Sequence, residues 1–419
     1  MLIVCEHASA RFGGEAALPL HYFRVLKKRG IPVWLLTHAR TRDELAALYP
    51  GDPAIHYVED TPLDRAMYRI GLHMPARLAY LTVGFVSRFA TQLVQRRVAR
   101  GLVASERIDV VHQPMPVSPR EPSMLFGLGA PVVIGPMNGG MDYPAGFGRH
   151  RRGAEALVTR VGRAAAAALN RLMPGKRRAA LLLVANQRTR AALPAGVCKN
   201  VVEIVENGVD LTLWDSRQGS ERTDPRLPTR FLFLGRLVDW KAVDLLLHAF
   251  SQAVAQVPMQ LIIVGDGDER RRLESLAADL ALTTGAGAGG NRVTFTGWLP
   301  QQQCAERLRE ADCLVLPSLL ECGGAVVLEA MSMGKPVIAT AWGGPVDYLD
   351  ASCGILVAPT DRDALVAGLR DALLRIARSP EERIAMGANG RRKVEREYDW
   401  DVKAEQILAQ YRLVRAGAS

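Results

Sequence analysis

The sequence lacks the features that mark several large classes of protein. No apolar run approaches the roughly 18 residues of a membrane-spanning helix. The first residues, MLIVC, have neither the basic start nor the long apolar stretch of a signal peptide. The six cysteines are scattered, without a C-x-x-C pair or a nearby histidine cluster, so neither a zinc site nor a disulfide framework is indicated. These absences predict a cytoplasmic protein with reduced thiols.

The sequence also has no zinc finger, RNP-like aromatic motif or basic-heptad segment, so nothing in it favours a nucleic-acid partner. Its net charge of +10 is nevertheless uneven, because residues 1–200 hold 28 Lys and Arg against 13 Asp and Glu. On charge alone, this basic half fits an anionic membrane surface or a lipid diphosphate acceptor. We expect Arg149, Arg151 and Arg152 to make such a contact. A basic solvated face with no partner is the alternative.

What the sequence does contain is an alternation of short apolar runs and helical stretches. At 419 residues, with 48% hydrophobic and 23% charged residues, it is long enough for two or three globular domains. Alternation of strands and helices is typical of doubly wound parallel sheets with helices on both faces. The turn signal Asn207-Gly208 ends the apolar run VVEIVE, so a domain boundary is expected nearby.

The stretch Leu314–Thr340 carries the clearest local pattern, which reads strand, loop, helix, strand. Glu321 lies on the loop, and Glu329 lies about one turn inside a helix predicted from about Val327 to Met333. A loop at the carboxyl end of a parallel strand that opens into a helix offers free backbone N–H groups to an anion. This geometry suits a sugar diphosphate. Two glutamates without a ligand are the alternative.

Two basic residues follow another predicted strand, Phe231–Leu234. Arg236 comes just after the strand, and Lys241 precedes the next helix, so two cations share one loop. Together they can neutralise a pyrophosphate leaving group. No Asp-x-Asp pair or carboxylate triplet stands where it would hold Mg²⁺ between phosphates. We therefore expect no metal site and no cofactor, and a reaction that is independent of metal ions.

These residues resemble the family-four retaining glycosyltransferases. Their Glu-x7-Glu motif is reproduced by Glu321 and Glu329, and their Gly-Arg and Lys-Gly segments are matched at residues 235–236 and 241, with Ala242 replacing the usual glycine. The chain also departs from the family after the first glutamate, where Cys322 and two glycines replace Pro-Phe-Gly.

The resemblance implies an α/β protein of the GT-B fold, with two Rossmann-like doubly wound parallel-sheet domains facing a central cleft. We place an N-terminal acceptor-binding domain at 1–205 and a C-terminal nucleotide-sugar-binding domain at 206–400. A C-terminal helix at 401–419 is expected to return to the N-terminal domain.

The resemblance also implies roles for individual residues. The first glutamate would face the transferred sugar, and the second would bind the nucleotide ribose. The residues assigned to catalysis are Arg236, Lys241, Glu321 and His112. The residues assigned to donor binding are Gly13, Gly14, Gly235, Gly265, Leu299, Gly323, Gly324, Ala325, Val326 and Glu329. Asn138 and Arg190 are acceptor-side candidates. For His112, a purely structural role is equally compatible with the sequence.

The implied function is a retaining hexosyltransferase that moves a sugar from a UDP- or GDP-sugar co-substrate to a saccharide or lipid-linked saccharide. Surface polysaccharide or glycolipid synthesis is the expected setting, with possible peripheral attachment at the inner face of the membrane. Two alternatives stay open. One is a catalytically silent sugar-nucleotide-binding partner of another transferase, and the other is a soluble transferase that makes a small glycoside or glucan.

Overall fold

The computed structural model of the chain describes residues 1–74, 79, 82–150, 153–215, 227–283 and 292–417. These residues form two compact units. The first unit comprises Met1–Gly140, Gly153–Glu206 and Lys403–Ser419, and the second comprises Met141–Arg152 and Asn207–Val402.

The first unit contains a parallel sheet of seven strands within the described residues, in the order β3-β2-β1-β4-β5-β6-β7. The strands are β1 (Leu2–Val4), β2 (Trp34–His38), β3 (Ile55–Val58), β4 (Val111–Gln113), β5 (Val132–Met137), β6 (Leu181–Val184) and β7 (Val201–Glu203). Their side chains are mostly buried and apolar, because helices cover both faces of such a sheet. The order reverses between β1 and β4, which makes this the switch point of the first sheet.

Helices connect these strands. Their bounds are Gly14–Lys28, Arg42–Leu48, Pro62–Gly71, Val83–Ser105, Gly153–Leu172, Gly175–Arg178 and Gln187–Ala191. The long helix Val83–Ser105 packs Ala99 and Val103 into the apolar core beneath the sheet. The chain's last helix runs from Trp400 to Ala416, and its residues from Lys403 onward belong to the first unit.

The second unit has a parallel sheet of six strands in the part of the chain described, in the order β10-β9-β8-β11-β12-β13. The strands are β8 (Thr229–Leu234), β9 (Met259–Val264), β10 (Val293–Gly297), β11 (Cys313–Leu316), β12 (Val337–Thr340) and β13 (Gly354–Val357). The helices are Val243–Val254, Arg270–Asp279, Gln301–Glu310, Ala325–Ser332, Pro345–Tyr348, Arg362–Arg378 and Pro380–Glu397. The strand order reverses between β8 and β11, so the switch point of this sheet lies between those two strands.

Residues 141–152 differ from the sequence-based boundaries, which place them in the first domain. They pack within the second unit instead. The Trp342 indole N–H donates to the Asp142 carbonyl oxygen at 2.9 Å. Gly146 lies so close to Thr360 that a Cβ atom would stand 1.6 Å from its carbonyl oxygen. The sequence around residues 141–150 does not indicate these contacts, because Trp342 and Thr360 lie about 200 residues further along the chain.

The helix predicted from about Val327 begins two residues earlier, at Ala325. Gly324 has φ 78° and ψ 55°, a left-handed conformation that suits glycine, and it caps this helix. The Val327 N–H donates to the Gly324 carbonyl oxygen at 2.9 Å. The helix therefore starts immediately after the glycine pair.

Two sequence-based assignments lie outside the described residues. They are Arg151 and Arg152 of the basic cluster at residues 149–152. Among the helices that the structure does describe, none combines the length and the apolarity needed to cross a membrane.

Candidate active site

The carboxyl edge of the second sheet brings together the loops that follow β8 and β11. The Leu319 N–H, after β11, donates to the Trp240 carbonyl oxygen at 2.8 Å, after β8. Beside this bond, the Lys241 ammonium forms an ion pair with the Glu321 carboxylate. Both loops leave the sheet at its switch point, which is where open α/β sheets bind their ligands.

The ion pair joins two residues for which the sequence predicted separate roles. The Lys241 and Glu321 side chains are only 16% and 14% exposed, so the pair is largely shielded from water. An anion that binds Lys241 has to share this ammonium group with Glu321. Lys241 is thus a cation just before the N-terminus of the helix Val243–Val254, and the Glu321 carboxylate already balances its charge.

Arg236 is placed differently from Lys241. Its side chain is exposed, and within the described residues it has no ion-pair partner. The loop between the two cations folds as a short 3₁₀ turn, Asp239–Lys241, and ends at Ala242 with φ 50°. Ala242 thus adopts the left-handed conformation that a glycine would adopt with less strain. The turn leaves Arg236 available to an anionic ligand at the edge of the sheet.

Three glycines draw the ends of β8, β9 and β10 together. The Gly235 N–H donates to Val264 O at 3.0 Å, and the Gly265 N–H donates to Gly297 O at 2.9 Å. Gly265 has φ 137°, and a Cβ atom there would stand 1.9 Å from the Gly235 carbonyl oxygen. Only glycine permits this approach of two backbone segments. Packing therefore explains the glycine at position 265 without any ligand.

The helix Ala325–Ser332 presents its N-terminus to the same edge. Its first turn has N–H groups without helical acceptors, which is true of any α-helix, and these groups attract anions. The Gly344 N–H donates to Glu321 O at 2.7 Å. A Cβ atom on Gly344 would stand 2.0 Å from Gly323 O, so this second glycine segment supports the loop from behind. Gly323, Gly324, Ala325 and Val326 therefore form a fixed turn at the helix start.

Glu329 lies one turn further along this helix. Burial raises the pKa of its carboxyl group to about 8. The Cys304 thiol lies near enough for the Glu329 charge to contribute to raising the thiol pKa, after burial itself. Cys304 also donates to Leu299 O, at 3.4 Å. Leu299 and Glu329 thus flank one cysteine, which places the loop after β10 beside the helix that follows β11.

Asp266, at the end of β9, is engaged with neighbours. Its carboxylate accepts from the Gly267 N–H at 2.8 Å and pairs with Arg270 at 3.0 Å. The backbone hydrogen bond, and then Arg270, hold the pKa of this carboxyl group below its usual value. Across the described part of the chain, no cluster of three or more His, Cys, Asp or Glu side chains is placed to hold a metal ion.

His112 is not placed as a catalytic group would be. It is fully buried in the first unit, and its Nε2–H donates to Gly135 O at 2.5 Å. Its Nδ1 accepts from the Tyr411 hydroxyl group at 2.7 Å. Burial lowers the pKa of the imidazole to about 4, so it is neutral at pH 7. The geometry supports the structural role, because both ring nitrogens are occupied by the protein.

The two acceptor-side candidates also have protein partners. Asn138 is buried and donates to the Glu206 carboxylate at 2.7 Å, while Thr189 donates to its side-chain oxygen at 3.3 Å. Arg190 is exposed and pairs with Glu203 at 3.4 Å. Asn138 thus ties the end of β5 to neighbouring segments, and Arg190 forms a surface ion pair.

Gly13 and Gly14 begin the first helix at an open surface. Gly13 has φ 96° and caps the helix, whereas Gly14 has no such constraint. A Cβ atom on either would meet no atom within 4 Å. The surface above both glycines is therefore unobstructed.

Sequence reasoning missed several parts of this edge. The pair Gly343-Gly344 follows β12 after two intervening residues, and the same pattern of glycines after an apolar run could have revealed it. Cys304 and Leu319 carried no such signal, because their importance comes from contacts with distant residues.

Part of the chain is similar to a known protein family. Residues 220–393 match the family model described as glycosyl transferases group 1. One relative is a GDP-mannose-dependent monoacylated alpha-(1-6)-phosphatidylinositol monomannoside mannosyltransferase of Corynebacterium glutamicum. It is 34% identical over 180 residues, which are 41% of this chain and 44% of that protein. Another, a D-inositol 3-phosphate glycosyltransferase of Frankia alni, is 34% identical over 228 residues, or 50% and 53% of the two chains. The chain thus spans about half the length of these relatives.

Solved structures match the fold over nearly the whole chain. Sucrose-phosphate synthase of Thermosynechococcus elongatus gives a TM-score of 0.64 at 22% identity, and the match covers 99% of each chain. Anabaena HepE, solved with UDP and glucose, gives 0.66 at 17% identity and covers 98% of this chain and 99% of its own. With the two parallel sheets, these likenesses confirm the predicted α/β class and GT-B fold.

Proposed function

We propose that this chain, whose residues 220–393 match the model of the group 1 glycosyltransferases, is a retaining hexosyltransferase. It moves a sugar from a nucleotide-sugar donor to a saccharide or lipid-linked saccharide acceptor. The observation that carries this proposal is the position of Arg236 and Lys241 at the switch point of the second sheet, beside the N-terminus of the helix Ala325–Ser332. The name of the Corynebacterium relative, which includes a nucleotide sugar and a lipid-linked mannoside, supports this class of substrates.

The chemistry follows from where negative charge develops. When the bond between the anomeric carbon and the diphosphate breaks, the departing oxygen gains charge, which Arg236, Lys241 and the helix N–H groups stabilise. The acceptor oxygen then bonds to the anomeric carbon on the same face, and its proton passes to the departing phosphate. Glu321 balances Lys241 before the donor binds, and in this proposal it faces the transferred sugar.

Stabilisation by nucleotide sugars tests this function first. The purified chain is heated with UDP-, GDP- or ADP-sugars in turn. A donor present at 100 times its Kd should add about 2.7 kcal/mol to the free energy of unfolding. Transfer or hydrolysis of the stabilising donor is then assayed. Stabilisation without turnover would favour the silent partner, and turnover on free saccharides without any lipid acceptor would favour the soluble transferase.

At pH 8.5, Glu329→Ala should weaken nucleoside diphosphate binding by about ten- to hundredfold, because a hydrogen bond to a charged group contributes roughly 1.5–3 kcal/mol. The ribose contact is similar in ground and transition states, so kcat should change little.

Because burial raises the pKa of the Glu329 carboxyl group to about 8, the carboxylate forms as the pH rises from 6.5 to 8.5. Nucleotide affinity should therefore increase over that range in the wild type.

The matched variant is Glu329→Gln, which keeps the shape of the side chain but has no titrating group. The part of the pH dependence that comes from Glu329 should be absent from its affinity, measured by calorimetry. Equal affinities of the wild type and Glu329→Ala would contradict the ribose contact.

Turnover should survive chelation. The leaving-group charge is met here by two fixed cations and a helix N-terminus, so the reaction needs no divalent ion. Activity is measured after dialysis against EDTA and again after Mg²⁺ or Mn²⁺ is added. Activity that disappears with EDTA and returns with either ion would disprove metal independence.

Peripheral attachment to an anionic membrane is part of the proposal and rests on the basic character of residues 1–200. Of the cluster expected from the sequence to make this contact, Arg149 lies within the described residues, and it belongs to the second unit. Arg97, Arg100 and Arg177 are better placed in the first unit, since they are exposed and have no ion-pair partner among the described residues.

Replacing Arg97, Arg100 and Arg177 together with glutamine should reduce binding to vesicles that contain anionic lipid, since each charge near such a surface contributes about 1 kcal/mol. Binding should also weaken with salt, because the Debye length falls from roughly 10 Å at 0.1 M to 3 Å at 1 M. Co-sedimentation measures both effects. If neither salt nor the substitutions changed the bound fraction, the basic surface would have no docking role.

A further inference from the structure

The first unit has an open cleft of about 770 Å³ over the carboxyl ends of β1, β2 and β3. Glu6, Arg40 and Asp60 line it, and each stands two residues beyond the last residue of its strand. The carboxyl edge of a parallel sheet is where such a fold binds ligands. The volume lies within the range of roughly 300–1,000 Å³ that is usual for small-molecule sites.

One end of the cleft is polar and mostly engaged in ion pairs. Arg40 pairs with Asp60 at 2.7 Å, and Arg88 pairs with Glu121 at 2.7 Å. The Glu6 carboxylate is different, because it accepts no hydrogen bond from the described residues. The His7 Nε2 atom lies 3.5 Å from it, and an Arg40 nitrogen lies 3.9 Å from it. Burial lowers the pKa of His7 to about 4, so of these two groups only Arg40 is a cation at pH 7. A partly buried carboxylate in this state is a ready acceptor for hydroxyl groups of a ligand.

Another part of the lining is apolar. It comprises Met67, Tyr68, Leu72 and Val83, and Arg65 and Arg69 of the same helix also line the cleft. Tyr68 and Leu72 are 70% and 65% exposed. The buried side chain of the helix Pro62–Gly71 is a polar one, Asp64, whose carboxylate accepts a hydrogen bond from Ser87 at 2.6 Å. Met67 and Tyr68 of this helix stand on the wall of the cleft, where contact with water has a cost in free energy.

We propose that this cleft binds an amphiphile, with a hydroxyl-rich head at Glu6 and a hydrocarbon chain along Tyr68, Leu72 and Val83. The inference rests on the proposed function, because this ligand would be the acceptor, and it specifies that acceptor as a glycolipid. A free saccharide would fill the polar end and leave the apolar wall in water. A flat membrane surface would contact the whole helix, including Leu63 and Ile70, which are exposed but lie outside the cleft.

Alkyl maltosides of increasing chain length provide the test. Their binding to the full chain is measured by calorimetry below the critical micelle concentration, without nucleotide sugar. Each methylene group that enters an apolar wall should strengthen binding about fourfold, so decyl maltoside should bind roughly fifteenfold more tightly than octyl maltoside. Maltose alone should bind more weakly than either.

Two kinds of substitution separate the two ends of the site. The pair Tyr68→Ser and Leu72→Asn should flatten the dependence on chain length. Glu6→Gln should weaken binding by a similar factor at every chain length, because it changes only the contact with the head. The matched control pair, Leu63→Asn and Ile70→Asn, removes apolar surface from the same helix and should leave both effects unchanged.

Equal losses in the cleft pair and the control pair would overturn the proposal in favour of adsorption on the helix surface, such as membrane contact. Absence of any chain-length dependence in the wild type would also overturn it. Stabilisation of the same samples by nucleotide sugars is measured in parallel. If the amphiphile tests fail but nucleotide sugars still stabilise the protein, the amphiphile site is disproved and the proposed transferase function stands.

Discussion

Arg236→Ala and Lys241→Ala should each lower kcat by on the order of 10² or more, because they act on charge that is greatest in the transition state. Arg236 is exposed and without an ion-pair partner among the described residues, so its removal should affect catalysis and not folding. Arg307→Ala is the matched control, since that arginine belongs to the same unit but pairs with Glu310 on an exposed helix. Wild-type turnover in both site variants would remove the site assignment.

Lys241 needs a second comparison, because its loss also leaves Glu321 without its cation. Breaking a shielded ion pair destabilises a protein through the charge that remains. Lys241→Ala is therefore measured again in a Glu321→Gln background, where no unpaired carboxylate is left. If the loss of kcat persists there, the ammonium group acts on the leaving group. If turnover recovers, Lys241 serves only to neutralise Glu321.

Gly265→Ala should destabilise the second unit by about 3 kcal/mol or more, because it adds a steric clash to a strained φ. The new Cβ atom would stand 1.9 Å from the Gly235 carbonyl oxygen, and neither backbone segment can move without breaking the hydrogen bonds between the ends of β8, β9 and β10. The loss is measured by calorimetry as a fall in the midpoint of the transition that nucleotide sugar raises.

Gly14→Ala is the control for this substitution. Gly14 was also assigned to donor binding, but its φ is not left-handed and a Cβ atom there would meet nothing within 4 Å. Its effect on stability should stay within about 0.5 kcal/mol. Equal effects at Gly265 and Gly14 would mean that the glycine contacts at the strand ends are not needed for folding.

The sequence allowed the strand and helix order of the second unit to be predicted well, because period and turn residues are local properties. The strand, the loop and the helix within Leu314–Thr340 were all expected, and the helix bounds differed by two residues at its start and one at its end. It begins at Ala325 because Gly324 takes a left-handed conformation that serves as its cap. A glycine pair alone does not reveal which of its members adopts that conformation.

The candidate site was predicted only in part, since sequence spacing does not report which distant side chains meet. Lys241 and Glu321 lie 80 residues apart, and both were chosen, but their ion pair was not foreseen. For His112, the contacts that the sequence could not reveal count against the expected role. Its place at the end of an apolar strand suggested chemistry, whereas Tyr411, 299 residues away, occupies one of its nitrogens and Gly135 the other.

By itself, the sequence determined the parallel α/β architecture and the switch-point loops with their cations and glycines, because these depend on residue periodicity and on conformations that few residues adopt. The tertiary structure alone decided which polar groups keep a free hydrogen-bonding capacity. Asn138 and His112 have theirs occupied by the protein, whereas the Glu6 carboxylate accepts no hydrogen bond from the described residues. The physical reason is that hydrogen-bond partners are fixed by packing between segments far apart in the chain, which no local pattern records.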